Sequence, residues 1–140
     1  MAILVDTSVI IDVLTDDPSW AEWSIAQLEN HSDSGLVINP VVYAELCFGC
    51  PSTEFVDDVV RKFSLTYQEM PRQGLFRAAK AFVRYRARRG TKVSPLPDFF
   101  IGGHAEAAGM PLLTRDTKRM NTYFPGVRLI CPQQPPERDK

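Results

Sequence analysis

The chain has 140 residues, 44% of them hydrophobic, and a net charge of −1; that suffices for one domain with a self-sufficient core and excludes wholesale disorder. No apolar run approaches the ~20 residues of a membrane span, and no basic stretch followed by a long apolar one opens the chain, so a cytoplasmic protein without membrane attachment is expected. Three cysteines, Cys47, Cys50 and Cys131, argue against a disulfide framework, and the Cys47–Cys50 pair lacks the second ligand pair of a structural zinc; buried or half-buried thiols are expected.

In chain order, "AILV" reads as a buried first strand, and "DTSVIIDVL" as a short helix with Thr7 or Ser8 able to cap it. "TDDPSW" starts a second helix, Asp17 capping and Pro18 opening it, and "HSDSG" ends it. "LVIN" (36–39) is a second strand, and a helix runs from Pro40 to near Gly49. Another helix begins at Pro51, with Phe55, Val59, Val60 and Phe63 on its apolar stripe. "SLTYQEM" is ambiguous, with an extended conformation as one option. From Pro71 to Arg89 the pattern predicts a long helix whose inner face is Leu75, Ala78, Ala79, Phe82 and Tyr85 or Arg86. Pro95 and Pro97 make "TKVSPLPD" a loop. A helix then runs from about Asp98 to Gly109, "PLLT" (111–114) is a third strand, "RDTKRMNTYF" a turn and short helix, and "GVRLIC" (126–131) a last strand. Residues 132–140 are polar and Pro-rich, and are expected to be a disordered tail beyond a single domain of residues 1–131. Strands alternating with helices predict parallel pairing and an α/β sandwich.

In such sheets function gathers at the carboxyl ends of the strands, and four acids are expected there. Asp6 directly follows the first strand. Glu45 lies in an apolar helical run just after the second. Asp98 opens the helix that leads into the third, and Asp116 follows that strand. Each has a plainer reading. Asp6 or Asp98 would serve as a helix cap and Asp116 as a turn residue, whereas a Glu among Val, Tyr, Ala and Leu should not be buried unpaired. Four carboxylates in one small site stay ionised only if a cation compensates; otherwise one or two take up protons. Hard oxygen ligands select Mg²⁺ or Mn²⁺. A cation so held activates water and neutralises phosphate charge, which is the chemistry of phosphodiester hydrolysis. Asp12 reads as a structural or surface acid.

The charges are unevenly divided. Residues 1–70 hold twelve acids and two bases; residues 71–140 hold fourteen bases and five acids. The segment "KAFVRYRARRGTK" carries Lys80, Arg84, Arg86, Arg88, Arg89 and Lys92 with no acid, and Arg115, Lys118 and Arg119 flank Asp116. Bases beside an acidic cluster would hold and steer a polyanion, although two solvated faces of opposite sign would look the same. Tyr85 is expected in the core rather than stacked on a base.

"LVDTSVIID", "YAEL", "PDFFIGGHA" and "LLTRDTKRM" stand in the order and rough spacing of PIN domains, and over residues 2–131 the chain resembles the VapC group of toxin ribonucleases from bacterial toxin–antitoxin modules. The resemblance implies a three-layer α/β/α sandwich around a parallel sheet and, usually, a homodimer. It implies a Mg²⁺- or Mn²⁺-dependent endoribonuclease acting on RNA and inhibited by a cognate antitoxin. Carried over, Asp6, Glu45, Asp98 and Asp116 match the acidic quartet, with Asp6 and Asp98 the most direct metal ligands. Thr114 matches the hydroxyl residue two before the last acid, and Thr7 and Ser8 the small polar pair after the first. Arg84, Arg86, Arg88, Arg89, Lys92, Arg115 and Lys118 are the expected RNA contacts. The sequence departs from the family in the Gly-rich "FFIGGHA". His104, six residues past Asp98, falls roughly 120° round the helix from it and reads as a surface or core residue. Two other classes stay open: an aspartyl-phosphate enzyme with Asp6 as nucleophile, and a non-catalytic module that keeps the fold as a scaffold.

Overall fold

The computed structural model of the chain describes residues 1–88 and 95–132. Five short strands, β1 (Ile3–Val5), β2 (Leu36–Ile38), β3 (Leu65–Tyr67), β4 (Leu112–Leu113) and β5 (Leu129–Ile130), form one parallel sheet in the order β3-β2-β1-β4-β5. The N-terminal strand is therefore the central one, with Leu4 opposite Val37 on one side and Leu112 on the other. β1, β2 and β4 are buried at every residue, as a parallel sheet covered on both faces requires. Among the described residues seven helices do the covering: α1 (Thr7–Leu14), α2 (Ala21–Asn30), α3 (Pro40–Cys47), α4 (Thr53–Lys62), α5 (Arg72–Ala87), α6 (Leu96–Ala108) and α7 (Thr117–Tyr123). The expected three-layer α/β/α class and its parallel sheet are what is found.

The helix starts follow from local chemistry. Asn39 caps α3, its Oδ1 accepting from the Val42 N–H at 3.0 Å, and Pro40 occupies the first turn, where its missing N–H costs nothing. Ser52 caps α4 through the Phe55 N–H. Asp17 accepts from the N–H groups of Ser19 and Trp20 at 2.8 and 3.0 Å, so it caps a turn, and the regular helix α2 begins only at Ala21.

Some expectations shift by a residue or a face. The ambiguous "SLTYQEM" contributes edge strand β3. α4 buries Val56 and Val59, while Phe55 is exposed on the neighbouring stripe. α5 buries Gly74, Ala78 and Ala81, with Phe82 and Tyr85 half-buried beside them; Leu75 and Ala79 face outward. α6 starts at Leu96 instead of Asp98, because Pro97 fits inside a first helical turn and Pro95 stands at the cap. Most of the expected tail, residues 133–140, lies outside the described residues.

The Gly-rich middle of α6 has a packing reason. A Cβ on Gly103 would stand 2.4 Å from the Gly74 carbonyl oxygen of α5, and one on Gly102 would meet the Phe124 ring at 2.4 Å. The two helices thus touch backbone to backbone. Phe82 and Tyr85 of α5 each meet Phe99 of α6 with ring centroids at 5.5 Å, locking the C-terminal end of α5 to the first turns of α6. Gly103→Ala gains about 1 kcal/mol of helix propensity, but the clash is with backbone that cannot swing aside, and overpacking costs up to about 3 kcal/mol. A net loss of about 2 kcal/mol in urea unfolding is expected; an unchanged midpoint would mean that the helix pair has slack.

Candidate active site

Asp6, Glu45, Asp98 and Asp116 line one open cleft of about 800 Å³ at the carboxyl edge of the sheet. Topology brings them there. Asp6 ends β1, and Glu45 sits on α3, the helix leaving β2. Asp98 is in the first turn of α6, and Asp116 caps α7 just beyond β4. Asp6 stands at the N-cap position of α1, yet its side chain makes no capping bond. Nor do Thr7 or Ser8 cap that helix as expected: both hydroxyls point to acids instead. Thr7 Oγ1 donates to Glu45 Oε1 at 2.6 Å, and Ser8 Oγ reaches Asp6 Oδ2 at 3.4 Å.

Asp6 is 5% exposed. The buried Thr114 hydroxyl donates to its Oδ2 at 2.7 Å and accepts the Asp116 N–H at 3.0 Å. One hydroxyl therefore aims Asp6 and shapes the turn that carries Asp116. The Asp116 Oδ1 accepts from the Arg119 N–H at 3.3 Å, which starts α7. The Arg119 guanidinium bridges two acids through one nitrogen, Nη1, at 2.9 Å from Asp98 Oδ2 and 3.1 Å from Asp116 Oδ2.

Arg115 lines the cleft and is paired within the fold. Its Nε and Nη2 donate to both oxygens of Asp12 at 2.8 and 3.0 Å, and its guanidinium lies 4.9 Å from the centroid of the Trp20 ring. Asp12, 2% exposed, also accepts from the Ser24 hydroxyl at 2.9 Å. Arg115, one of the expected RNA contacts, thus has its charge matched by Asp12 within the fold. Asp12 is a structural acid buried in the α1–α2 corner, not a surface one. It is a charge interrupting an apolar helical run, the same signal that singled out Glu45.

The electrostatics record too many negative groups. Burial, above all, raises the Asp6 carboxyl above the ordinary carboxylate range. The Thr114 hydrogen bond pulls it down, and Glu45 and Asp116 push it further up. Asp98 is pushed up to about 7, first by burial and then by the charge of Asp6, with Arg119 pulling the other way. An all-oxygen donor set with unbalanced negative charge fits a hard divalent cation. As the side chains stand, no three His, Cys, Asp or Glu groups among the described residues close on a common point. A cation that keeps part of its water shell would suit so open a set.

The remaining candidates spread over the rim. Arg84, Arg86, Arg88 and Lys118 are exposed. Arg84 donates to the Tyr123 carbonyl at 3.2 Å, and Arg86 and Arg88 lie over Phe82 and Tyr123. Arg84 and Arg86, with Arg88 just past the helix, occupy the end of α5 that packs on the first turns of α6, where Asp98 stands; Lys118 is on α7. Arg89 and Lys92 lie outside the described residues. His104 is buried, its Nδ1 3.2 Å from Asn39 Nδ2, and burial lowers its pKa, so it is a neutral core residue. Cys47, Cys50 and Cys131 are free, half-buried thiols. The far wall of the cleft is apolar, formed by Ile11, Leu14, Phe48 and Phe55, with Phe48 90% exposed.

The solved structures similar in fold include a toxin–antitoxin complex from Klebsiella pneumoniae, with a TM-score of 0.65 and 20% identity over 94% of this chain and 98% of that one. A chain of VapBC2 from Rickettsia felis, bound to a DNA fragment from its promoter, matches with a TM-score of 0.69 and 19% identity over 94% of this chain and 98% of that one. A chain of DNA-bound VapBC from Salmonella typhimurium gives 0.68 and 24% over the same shares. FitAcB from Neisseria gonorrhoeae gives 0.64 and 19% over 91% and 95%. No curated protein sequence matches. At these identities the structures establish the fold. The family model of the PIN domain, however, matches residues 3–124, the stretch that holds four of the five strands and all four acids. The chain belongs to the PIN domain family.

Proposed function

We propose that the protein is a divalent-cation-dependent endoribonuclease and the toxin half of a toxin–antitoxin pair. The observation that carries the reading is the single cleft holding four carboxylates, two of them kept above their ordinary pKa, beside the basic end of α5. When bound, Mg²⁺ or Mn²⁺ would lower the pKa of a water and neutralise charge on the scissile phosphate. Asp6 and Asp98 would be its most direct ligands, with Glu45 and Asp116 completing the set. Thr114 holds Asp6 in one rotamer and Thr7 holds Glu45, so two of the four carboxylates are aimed before a ligand arrives. Arg84, Arg86, Arg88 and Lys118 would hold flanking backbone phosphates as a salt-sensitive, sequence-independent contact.

An antitoxin partner is supported by the complexes to which the fold is similar. The apolar wall beside the acids would accept an amphipathic segment carrying a basic residue. The exposed Phe76 and Val83 on α5 would suit a homodimer face. An aspartyl-phosphate enzyme fits less well. Such a site wants a free cation beside the nucleophile, and Arg115 at this rim is held by Asp12.

Purified protein should cut single-stranded RNA internally in Mg²⁺ or Mn²⁺ and stop on addition of EDTA, and Asp98→Asn should be inactive. Cleavage by Asp98→Asn at the wild-type rate, or wild-type cleavage in EDTA, would overturn the reading.

A further inference from the structure

Resting on the cation site proposed above, we infer that Arg119 is an internal counter-ion. It holds the Asp98–Asp116 pair in the cation-free protein and must let go when a divalent cation enters. Its Nη1 lies within 3.1 Å of Asp98 Oδ2 and Asp116 Oδ2. Those oxygens belong to two of the four acids, so the guanidinium and the ion compete for the same lone pairs.

The placement of Arg119 has little else to explain it. It sits in the first turn of α7, three residues past the Asp116 cap. There the helix dipole disfavours a positive side chain. The carboxylate pair outweighs that cost, and in the absence of an ion Arg119 partly offsets the burial and the neighbouring negative charges that raise Asp98. The exchange is mechanically easy. The Arg119 backbone N–H is tied to Asp116 Oδ1, so α7 keeps its start while the side chain, one-third exposed, swings outward. The neighbouring cation cannot do this, because Arg115 is held by two bonds to buried Asp12. The released guanidinium stands at the rim beside Asp98, on the side where the basic residues of α5 would lead a phosphate chain.

Titration of the cation-free protein with Mn²⁺ alone, by calorimetry or by the electron paramagnetic resonance of free Mn²⁺, tests this directly. Removing two contacts with partly buried carboxylates is expected to tighten Mn²⁺ binding about tenfold in Arg119→Gln. Arg119→Lys, which keeps the charge, should stay near wild type. In the wild-type protein the Arg119 guanidinium NMR signal should be ordered without a cation and move to the free-arginine position as Mg²⁺ saturates; this readout needs no variant to fold. Equal Mn²⁺ affinity in wild type and Arg119→Gln, or an unmoved Arg119 signal at Mg²⁺ saturation, overturns the inference and leaves the cation site standing. Weaker binding by Arg119→Gln also overturns it, making Arg119 a support for the ligands. Absence of Mn²⁺ binding in both proteins removes the cation site and the inference with it.

Discussion

Asp6→Asn should retain less than about a thousandth of the wild-type cleavage rate and yet melt at a higher temperature than wild type when both are held in EDTA at pH 8. The activity loss follows from the proposed cation: several kcal/mol of charge stabilisation would depend on its ligands, and each 1.36 kcal/mol is tenfold in rate. The stability gain has the opposite sign because Asp6 is buried and faces Glu45 and Asp116. An Asn oxygen can still accept the Thr114 hydroxyl, so the neutral side chain keeps the bond and loses the repulsion. The pH window follows from the raised values. A carboxyl with a higher pKa folded than unfolded holds its proton longer in the native state. Its stabilising contribution is fully present below about pH 4 and is lost as pH rises through the folded value. For Asp98 that loss is complete a little above 7. Its rise from 3.8 to about 7 sets a ceiling of about 4 kcal/mol, and screening in the open cleft brings this to about 2 kcal/mol. Wild-type protein in EDTA should therefore lose stability between pH 5 and 8, and saturating Mn²⁺ should restore it. Asp6→Asn should lose less and respond weakly to Mn²⁺. Thermal unfolding at the two pH values, with EDTA and with Mn²⁺, checks both halves. A variant that melts below wild type at pH 8 in EDTA would mean that Asp6 is not held against repulsion.

Asp12→Ala should cost about 3 kcal/mol of folding stability although Asp12 touches no proposed ligand. Breaking a buried ion pair by removing one partner costs about 3–5 kcal/mol; Arg115 is 28% exposed, which places this pair at the lower end. The truncation leaves the Arg115 guanidinium and the Ser24 hydroxyl without their acceptor. It also frees the residue that precedes Asp116, so cleavage should fall further than the folded fraction does. Urea unfolding gives the first number. The double variant Asp12→Ala, Arg115→Met should recover part of the loss, because no unpaired charge remains. A single-variant loss below about 1 kcal/mol would show that the pair does not hold the corner.

The parts of this molecule that were legible in its sequence are those set by neighbours in the chain. Short apolar runs mark four of the five strands, three of them bounded by Pro, Gly or Asn, and acids after strands mark the carboxyl edge. What stayed hidden depends on partners far away. Arg115 looked like a free base because Asp12 lies 103 residues earlier. Arg119 looked like one basic residue among several until Asp98, on another helix, was seen beside it. The glycines of α6 read only as a departure from the family, since nothing local shows that α5 approaches to backbone contact there. Phe55 and Val56 exchanged roles because adjacent helical residues differ by only about 100°, and the tertiary neighbours decide which one faces the core. β3 was uncertain for a related reason: as an edge strand it buries only Leu65 of its three residues.

The strand order also sets a timetable. β1 leaves the ribosome first, yet it is the middle of the sheet and pairs on one side with β4. The hydroxyl that aims Asp6 belongs to Thr114, 108 residues later in the chain. A nascent chain that has emerged only as far as α6 lacks that hydroxyl, Asp116 and the second neighbour of β1. The long-range pairing that makes such sheets slow to fold therefore also keeps the carboxylate cleft incomplete until β4 and the start of α7 have emerged.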